Sequence, residues 1–224
     1  MYKGNRITVV IPCLNEESGV QKVLGAMPEF VDEVIVVDND SSDRTAEVAR
    51  AMGATVIREA NRGYGRAYKR GFLNATGDII VTLDGDHSYP VDALSYLIEA
   101  FLYSRVGFLS ASRFPTFNKN AMSLKHRIGN RILSLTFSVL FLRWVNDSQS
   151  GMWVFRKNIL ERMKLTSDGM AFSEEIKLEA IRNKDVGFRE ISVNYSQRVG
   201  EIKLQPWRDG FRNLAFLFKK RLWR

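Results

Sequence analysis

The sequence predicts an α/β protein built on a mostly parallel sheet that is flanked by helices. Short β-branched apolar runs alternate with helical segments through the first ninety residues, a pattern typical of strands buried in a parallel sheet. Polar clusters follow three of these runs, at residues 12–18, 38–43 and 84–88. Ligands of such sheets bind beyond the carboxyl ends of the strands. The three clusters are therefore expected to form one site.

The first half of the chain alternates regularly between the two kinds of element. The β-branched run 7–11 ends at Pro12 and predicts a strand. A helix over 15–27 follows, with two acids in its first turn, where the helix dipole favours negative charge. The same reasoning predicts further strands at 33–37, 54–57 and 78–83, and helices at 45–52 and 64–75.

The second half is less regular. Amphipathic segments lie near 92–102 and 124–143, a strand is predicted at 153–155, and a helix near 173–183. No internal repeat or linker divides the chain, so we expect a single domain over residues 1–203. Residues 204–224 are predicted to form a basic amphipathic helix that belongs to this domain or is appended to it.

Composition excludes several classes of protein. With 45% hydrophobic and 26% charged residues among 224, the chain can bury a sizeable core and is not a disordered or low-complexity protein. One cysteine and two histidines are too few for a disulfide scaffold or a structural zinc site. Any metal must be held mainly by carboxylates.

The apolar segments are too short to predict a membrane span. The longest nearly uncharged stretch, 132–142, has 11 residues, whereas a bilayer-spanning helix needs roughly 20. The N-terminus runs directly into a strand without the apolar region of a signal peptide. The sequence therefore predicts a soluble or peripheral protein on the cytoplasmic side of a membrane.

The net charge of +8 is unevenly distributed. No acid lies between Glu99 and Asp147, where seven basic residues stand, and residues 203–224 hold seven basic residues against Asp209 alone. Two basic segments on an otherwise acidic body suggest an anionic partner. Nucleic acid, a phosphorylated substrate and an anionic membrane all fit this charge pattern, and so do two solvated helix faces.

The sharpest motif is Asp84-Gly85-Asp86, which follows a buried apolar strand. Two carboxylates one residue apart at a strand end can share a divalent cation, and that cation can also hold a diphosphate. The glycine between them permits close approach of a ligand. Alone, the same pattern is common in ordinary turns.

Two further polar clusters are candidates. Asp38 ends the second strand, where an acid can accept hydrogen bonds from a nucleobase or ribose; the alternative is that Ser42 or Asp43 merely caps the next helix. Asp147 is a lone acid among hydroxyls and basic neighbours. It could act as a general base, although those neighbours would keep its pKa low.

Two common nucleotide-binding folds are excluded. The first strand is not followed by Gly-x-Gly-x-x-Gly, and no Gly-x-x-x-x-Gly-Lys-Ser/Thr loop exists. A nucleic-acid-binding module would require exposed aromatic residues among the basic ones, whereas Phe101, Phe108 and Phe137 lie in apolar runs.

The ordered set of motifs resembles family 2 glycosyltransferases. The segments concerned are 9–17, 37–41, 61–67, 84–86, 112–113, 147–151 and 198–203, which span nearly the whole chain. The later ones resemble the polyprenyl-phosphate branch, which includes dolichol-phosphate mannose and glucose synthases. This resemblance implies a GT-A-type fold and an inverting transfer of a hexose from a nucleotide-diphosphate sugar, of the GDP-mannose or UDP-glucose type.

The resemblance also implies roles for individual residues. The nucleotide-sugar site would comprise Pro12, Asn15, Glu16, Asp38, Asn39, Asp84, Gly85, Arg198 and Lys203. Asp84 and Asp86 would hold Mg²⁺ or Mn²⁺, with Asp86 and Asp147 as the catalytic residues. Asp147 would orient the acceptor, coordinate a basic residue, or act as a base if the acceptor is a hydroxyl. The acceptor phosphate of a polyprenyl or dolichyl lipid would be bound by Arg113, Arg127 and Arg131.

Three departures from the family pattern put the base and sugar identity in question. Asn39 stands where a second Asp is usual, Ser88 stands where mannose synthases often have Gln, and Leu14 stands where an aromatic is common. The alternatives are a family 2 enzyme that glycosylates a sugar hydroxyl, for which Asp147 would be the base, and more distantly a sugar nucleotidyltransferase. No nucleic-acid partner is expected.

The two basic segments are also predicted to bind a membrane surface. Trp207, Phe211, Leu214, Phe218 and Leu222 recur at helical spacing beside basic residues, and 124–143 joins basic residues to an apolar run. The simpler alternative is that both apolar faces pack on the protein core.

Overall fold

A seven-stranded sheet forms the centre of the computed structural model, with the strand order β3-β2-β1-β4-β6-β5-β7. The structure describes residues 1–115, 118, 121–201, 203 and 206–222, with backbone only for 206 and 207. Some positions used in the sequence predictions lie outside the described residues. They are Lys119 of the acid-free segment, the side chain of Trp207, the domain boundary at residue 204, and the last two residues. The strands are β1 (Ile7–Cys13), β2 (Glu33–Asp38), β3 (Thr55–Arg58), β4 (Ile79–Thr82), β5 (Phe108–Ser112), β6 (Trp153–Arg156) and β7 (Phe188–Ser192).

Seven α-helices connect and cover these strands in the described part of the chain. They are α1 (Glu17–Gly25), α2 (Thr45–Ala51), α3 (Tyr64–Asn74), α4 (Leu94–Ser104), α5 (Leu124–Phe141), α6 (Phe172–Arg182) and α7 (Pro206–Leu222). Short 3-10 segments at Val91–Ala93 and Lys157–Arg162 precede α4 and follow β6.

The core consists of two apolar layers, one on each face of the sheet. Side chains alternate along β1, so Val9 and Ile11 face one layer and Val10 the other. The first layer includes Val20 of α1 and Leu97 of α4; the second includes aromatic residues of α3 and α6. Residues of β1, β2 and β4 are buried on both faces, which explains their continuous apolar runs.

Sheet topology brings the loops of the candidate site to one edge. Strands β1, β2 and β4 are parallel, and β6 runs antiparallel to β4 and β5. Because β6 is reversed, the loop that precedes it reaches the edge where β4 and β5 end. Strand β7 is parallel to β5, so the segment that follows β7 also starts at this edge. The predicted polar clusters and residues 193–201 thus converge at this edge.

The predicted α/β class and single domain with a mostly parallel sheet are confirmed, and the predicted elements lie within three residues of those observed. Strands β5 and β7 were not predicted. Ser110 and Ser112 are buried in β5, where they interrupt the apolar pattern. Strand β7 is a half-exposed edge strand with two charged residues, Arg189 and Glu190.

Helix α7 packs against α5 and α6. Leu217 is fully buried beside Phe137 and Leu178, whereas Phe211, Phe218 and Leu222 of the predicted apolar stripe are exposed. The stripe therefore faces away from the core, and a different side of the helix packs on it. No helix in the described residues is long and apolar enough to cross a membrane.

Candidate active site

Asp84 and Asp86 follow β4 and lie at the edge where the loops converge. Burial raises the pKa of Asp84 to about 7, and the charge of Asp86 adds to this effect. A divalent cation would relieve the repulsion between the two carboxylates, so the pair fits the predicted metal site. Within the described residues, no group of three or more His, Cys, Asp and Glu is placed to hold a metal.

Two tyrosines from α3 support Asp84. The hydroxyls of Tyr64 and Tyr68 donate to its Oδ1 at 3.2 and 3.5 Å. Gly151 packs against the same carboxylate: a Cβ there would lie 3.1 Å from Asp84 Oδ1 and would collide with the Tyr64 hydroxyl. The sequence gives no role to these tyrosines, although their spacing of four residues on α3 places them on one face.

Asp86 is buried and holds a different set of contacts. Its Oδ1 accepts hydrogen bonds from the backbone N–H and the hydroxyl of Ser88 at 3.0 and 2.5 Å. Its Oδ2 lies 3.5 Å from Arg198 Nη1. The residue two positions after Asp86 therefore serves here to orient the carboxylate.

Arg198 and Lys203 come from the segment after β7 and meet Glu16 at the start of α1. Glu16 Oε1 accepts from Arg198 Nη2 at 2.7 Å and from Lys203 Nζ at 2.5 Å. Lys203 also donates to the Asn15 carbonyl at 2.6 Å, and the Val199 amide donates to the Asp86 carbonyl at 2.8 Å. These contacts place residues 196–201 and Lys203 over the two aspartates.

The predicted nucleotide-binding residues lie at the ends of β1 and β2. Pro12 is paired with Val37, and Asp38, which is buried, accepts from the Ser41 amide at 3.1 Å. Asn15 has a positive φ of 52° and binds the Ser42 amide through Oδ1 at 2.7 Å. The loops after the two strands are thus joined.

Asn39 and Gly85 have internal packing roles. The Asn39 side chain donates to the carbonyls of Glu59 and Asn61 and accepts from the Gly63 amide, so it fixes the loop before α3. At Gly85, a Cβ would lie 2.5 Å from Cys13 Sγ. The close approach that requires this glycine is therefore made by the protein itself, whereas the sequence argument expected a ligand.

Arg113 and Asp147 form a buried ion pair. Asp147 is fully buried, and its two oxygens accept from Arg113 Nε at 2.7 Å and Nη2 at 2.8 Å, while the Arg113 amide donates at 3.0 Å. Burial alone would raise the pKa of Asp147, but these contacts outweigh burial and lower it. Of the roles considered for Asp147, the structure shows the one in which it holds a basic residue.

Arg113 lies between its partner Asp147 and Asp84 of the predicted metal site. Its guanidinium stacks over the Tyr195 ring at 5.4 Å, and its charge lowers the pKa of Asp84 against the effect of burial. Arg131 lies on α5 with its guanidinium 4.6 Å from the Phe114 ring centre, and Arg127 is half-buried one turn earlier. The acid-free segment therefore contributes both the buried Arg113 and cations on α5.

Residues 147–151 form the loop that precedes β6, called the 147–151 loop below. The Gly151 carbonyl accepts from Thr82 at 2.7 Å and Tyr68 at 3.2 Å, and its amide donates to the Tyr89 hydroxyl at 2.8 Å. Glu190 on β7 accepts from the Asn146 and Asp147 amides at 2.7 and 3.2 Å. No local pattern points to Tyr89 or Glu190, because their hydrogen-bond partners lie far away in the chain and include backbone amides.

Comparison with known proteins identifies the family. Residues 8–164 match the family model described as "Glycosyl transferase family 2". A low-salt glycan biosynthesis hexosyltransferase, Agl6, of Haloferax volcanii is 32% identical over 218 residues, which are 94% of this chain and 52% of that protein. The chain thus spans about half the length of this relative.

Two further comparisons agree with this result. A dolichyl-phosphate hexose transferase of Haloferax volcanii is 31% identical over 212 residues, covering 93% of this chain and 91% of that protein. The crystal structure of glucosyl-3-phosphoglycerate synthase from Mycobacterium tuberculosis, in complex with Mn²⁺, UDP-glucose and phosphoglyceric acid, superposes with a TM-score of 0.78 at 20% identity over 97% of this chain and 80% of that one. The predicted GT-A-type fold is confirmed.

Proposed function

Because the chain belongs to glycosyl transferase family 2, we propose that it transfers a hexose from a nucleotide-diphosphate sugar to a polyprenyl or dolichyl phosphate, with inversion, at a membrane surface. The name of one relative, a dolichyl-phosphate hexose transferase, supports this acceptor. The observation that supports a phosphate acceptor most strongly is the ion pair of Arg113 with Asp147.

A hydroxyl acceptor requires a base, and Asp147 is poorly suited to that role. Both of its oxygens are bound by Arg113 and its pKa is lowered, which weakens its tendency to take up a proton. A lipid phosphate is already ionised near pH 7 and needs no base. Arginine matches phosphate geometry, and Asp147 leaves the Nη1 group of Arg113 for the phosphate. Arg127 and Arg131 complete this proposed acceptor site.

The donor would bind at the ends of β1, β2 and β4. Asp84 and Asp86 would hold Mg²⁺ or Mn²⁺, which when bound supplies positive charge to the leaving diphosphate. Pro12, Asn15 and Asp38 border the nucleotide in this proposal, with Asn39 and Gly85 holding the surrounding loops. Arg198 is paired with Glu16 and Asp86, and Lys203 is paired with Glu16. Both cations would exchange these carboxylates for the donor diphosphate.

The membrane surface is supported by exposed apolar residues on the two packed helices. On α5 they recur at helical spacing, and α7 adds three more; we call these residues the apolar faces. Exposed basic residues accompany them, including Lys125, Arg143, Arg212 and Lys219, as suits an anionic lipid surface. The apolar faces comprise Leu124, Ile128, Ile132, Leu135, Val139 and Leu142, with Phe211, Phe218 and Leu222.

A donor and acceptor screen tests this function. The protein is incubated with Mn²⁺ or Mg²⁺ and radiolabelled UDP- or GDP-hexoses, each offered with a short polyprenyl phosphate, 3-phosphoglycerate or an oligosaccharide. We expect a labelled lipid product with one or more donors, and inversion of the anomeric configuration by NMR. Transfer only to the oligosaccharide would instead identify the hydroxyl-acceptor alternative.

A further inference from the structure

Lys177 is a fully buried lysine on α6. Its ammonium donates to three backbone carbonyls of the 147–151 loop: Asp147 at 2.9 Å, Ser148 at 3.0 Å and Ser150 at 2.8 Å. All three of its N–H groups therefore have partners. The ammonium also lies 5.9 Å from the centre of the Trp153 ring.

Such a charge is costly to bury, since an ammonium loses its hydration. Burial lowers the pKa of Lys177 to about 8. The charged groups that affect it come from every neighbouring element: Asp147 in the loop, Glu190 on β7 and Glu174 on α6 favour the ammonium, and Arg113 opposes it. An apolar side chain would pack here without this cost, so the three carbonyl contacts are the feature that only the lysine provides.

The hydrogen bonds of Lys177 matter most at the start of the 147–151 loop, at residues 147 and 148. Gly151 is already held by Thr82, Tyr68 and Tyr89, and the Ser150 carbonyl also accepts from the Trp153 indole at 2.8 Å. By contrast, Lys177 supplies the donor for the Asp147 and Ser148 carbonyls. Asp147 is the residue that holds Arg113.

We propose that Lys177 is a positioning residue, whose buried ammonium fixes the peptide groups at 147 and 148 so that Asp147 presents Arg113 to the acceptor phosphate. This inference rests on the proposed function for the role of Arg113. It predicts that losing the ammonium weakens acceptor binding and leaves donor binding unchanged.

The test compares Lys177→Met, which shortens the unbranched side chain by one atom and removes its charge and donors, with Ile176→Val. Ile176 is a buried apolar residue on the same helix that faces the core layer of α3, so its variant controls for lost packing. In Lys177→Met we expect the acceptor KM to rise about tenfold or more, with donor KM within about twofold of wild type. Amide hydrogen exchange should accelerate at 147–149 and stay unchanged at 151–153.

An unchanged acceptor KM and unchanged exchange at 147–149 would overturn the proposal, as would an equal effect in Ile176→Val. If Lys177→Met does not fold, the wild-type protein supplies the test. A neutral amine has two N–H groups for three carbonyls, so the acceptor KM should rise between pH 7 and 9.5, and the donor KM should not rise with it. A flat acceptor KM contradicts the proposal.

Failure of the proposed function is a separate outcome. In that case the wild-type protein transfers no sugar to polyprenyl phosphate. The exchange comparison between the two variants does not depend on that activity and still decides whether Lys177 holds the loop.

Discussion

Side chains of opposite charge form ion pairs at the carboxyl edge of the sheet. Glu16 and Asp86 are matched with Arg198, and Asp147 is matched with Arg113. Asp84 instead has two tyrosine hydroxyls and a raised pKa of about 7. The carboxylate with the least positive charge directly against it is thus the one placed to gain most from a divalent cation.

Asp86→Asn removes one carboxylate and keeps the size of the side chain. We expect transfer to fall by about a hundredfold or more, because the remaining Asp84 cannot hold the cation alone, and EDTA should abolish transfer by the wild-type protein. Initial rates are measured over a Mn²⁺ titration. The control is Asp185→Asn, an exposed acid far along the chain. Full activity of Asp86→Asn without divalent ions would contradict the metal role.

The variant Asp147→Asn distinguishes a residue that holds Arg113 in place from one that acts as a general base. Loss of the carboxylate leaves Arg113 charged and buried, which costs about 3–5 kcal/mol of folding free energy, and the acceptor KM should rise because Arg113 is no longer held. Denaturant unfolding and two-substrate kinetics measure both effects. A large fall in kcat at an unchanged acceptor KM would instead show that Asp147 acts as a general base.

At the scale of elements, the sequence predicted the strands that are buried on both faces and the loops that follow them. These include β1, β2 and β4, because their apolar runs are continuous and end in polar clusters. Strand β5 was missed because its buried serines resemble a loop. Antiparallel β6 was predicted as a strand, but its direction depends on pairing with β4 and β5, which a local pattern does not contain.

The residues of the candidate site show the same limit, since a local sequence pattern does not contain partners from distant segments. Asp84, Asp86 and Arg113 carry a local or family signal, whereas Lys177 stands in the helix predicted near 173–183, and a lysine in a helix ordinarily faces solvent. Its partners are carbonyls about thirty residues earlier in the chain. Backbone acceptors leave no trace in a sequence, so the role of Lys177 is visible only in the fold.

Helix α6 yields a prediction for stability as a function of pH. The folded-state pKa of Lys177, about 8, lies below its ordinary value of 10.5. Between these values the unfolded chain binds more protons than the folded one, so the contribution of Lys177 to stability rises with pH, by about 3 kcal/mol across the window. Unfolding by urea from pH 7 to 10 should show this rise in wild type minus Lys177→Met. A flat or falling difference would contradict the buried ammonium.

In the molecule as a whole, the loops of the candidate site meet at one end of the sheet, and the basic helices α5 and α7 pack on each other beside the 147–151 loop. Asn213 of α7 donates to Gln149 of that loop at 2.7 Å, and Gln149 donates to Glu174 at 2.6 Å. The helices that carry the apolar faces are therefore connected directly to the loop that holds Arg113.

Surface substitutions test membrane attachment without disturbing this packing. Removing α7 would expose Phe137 and Leu178, which Leu217 covers, so we choose Ile132→Ser with Val139→Ser, both exposed on α5. The wild-type protein should co-sediment with anionic liposomes at low salt and be released at high salt, and the double variant should bind less at low salt. Leu73→Ser, an exposed apolar residue on α3, is the control. Equal binding of all three proteins would show that the α5 face is not involved.

The acceptor class is tested by comparing polyprenyl phosphate with the polyprenol of the same length, in the same detergent and with the donor that the screen identifies. We predict transfer to the phosphate alone, and a rise in the KM for that phosphate of about tenfold or more in Arg113→Ala with donor KM unchanged. Equal transfer to the polyprenol would contradict a lipid-phosphate acceptor. A KM for polyprenyl phosphate that Arg113→Ala does not alter would contradict its binding by Arg113.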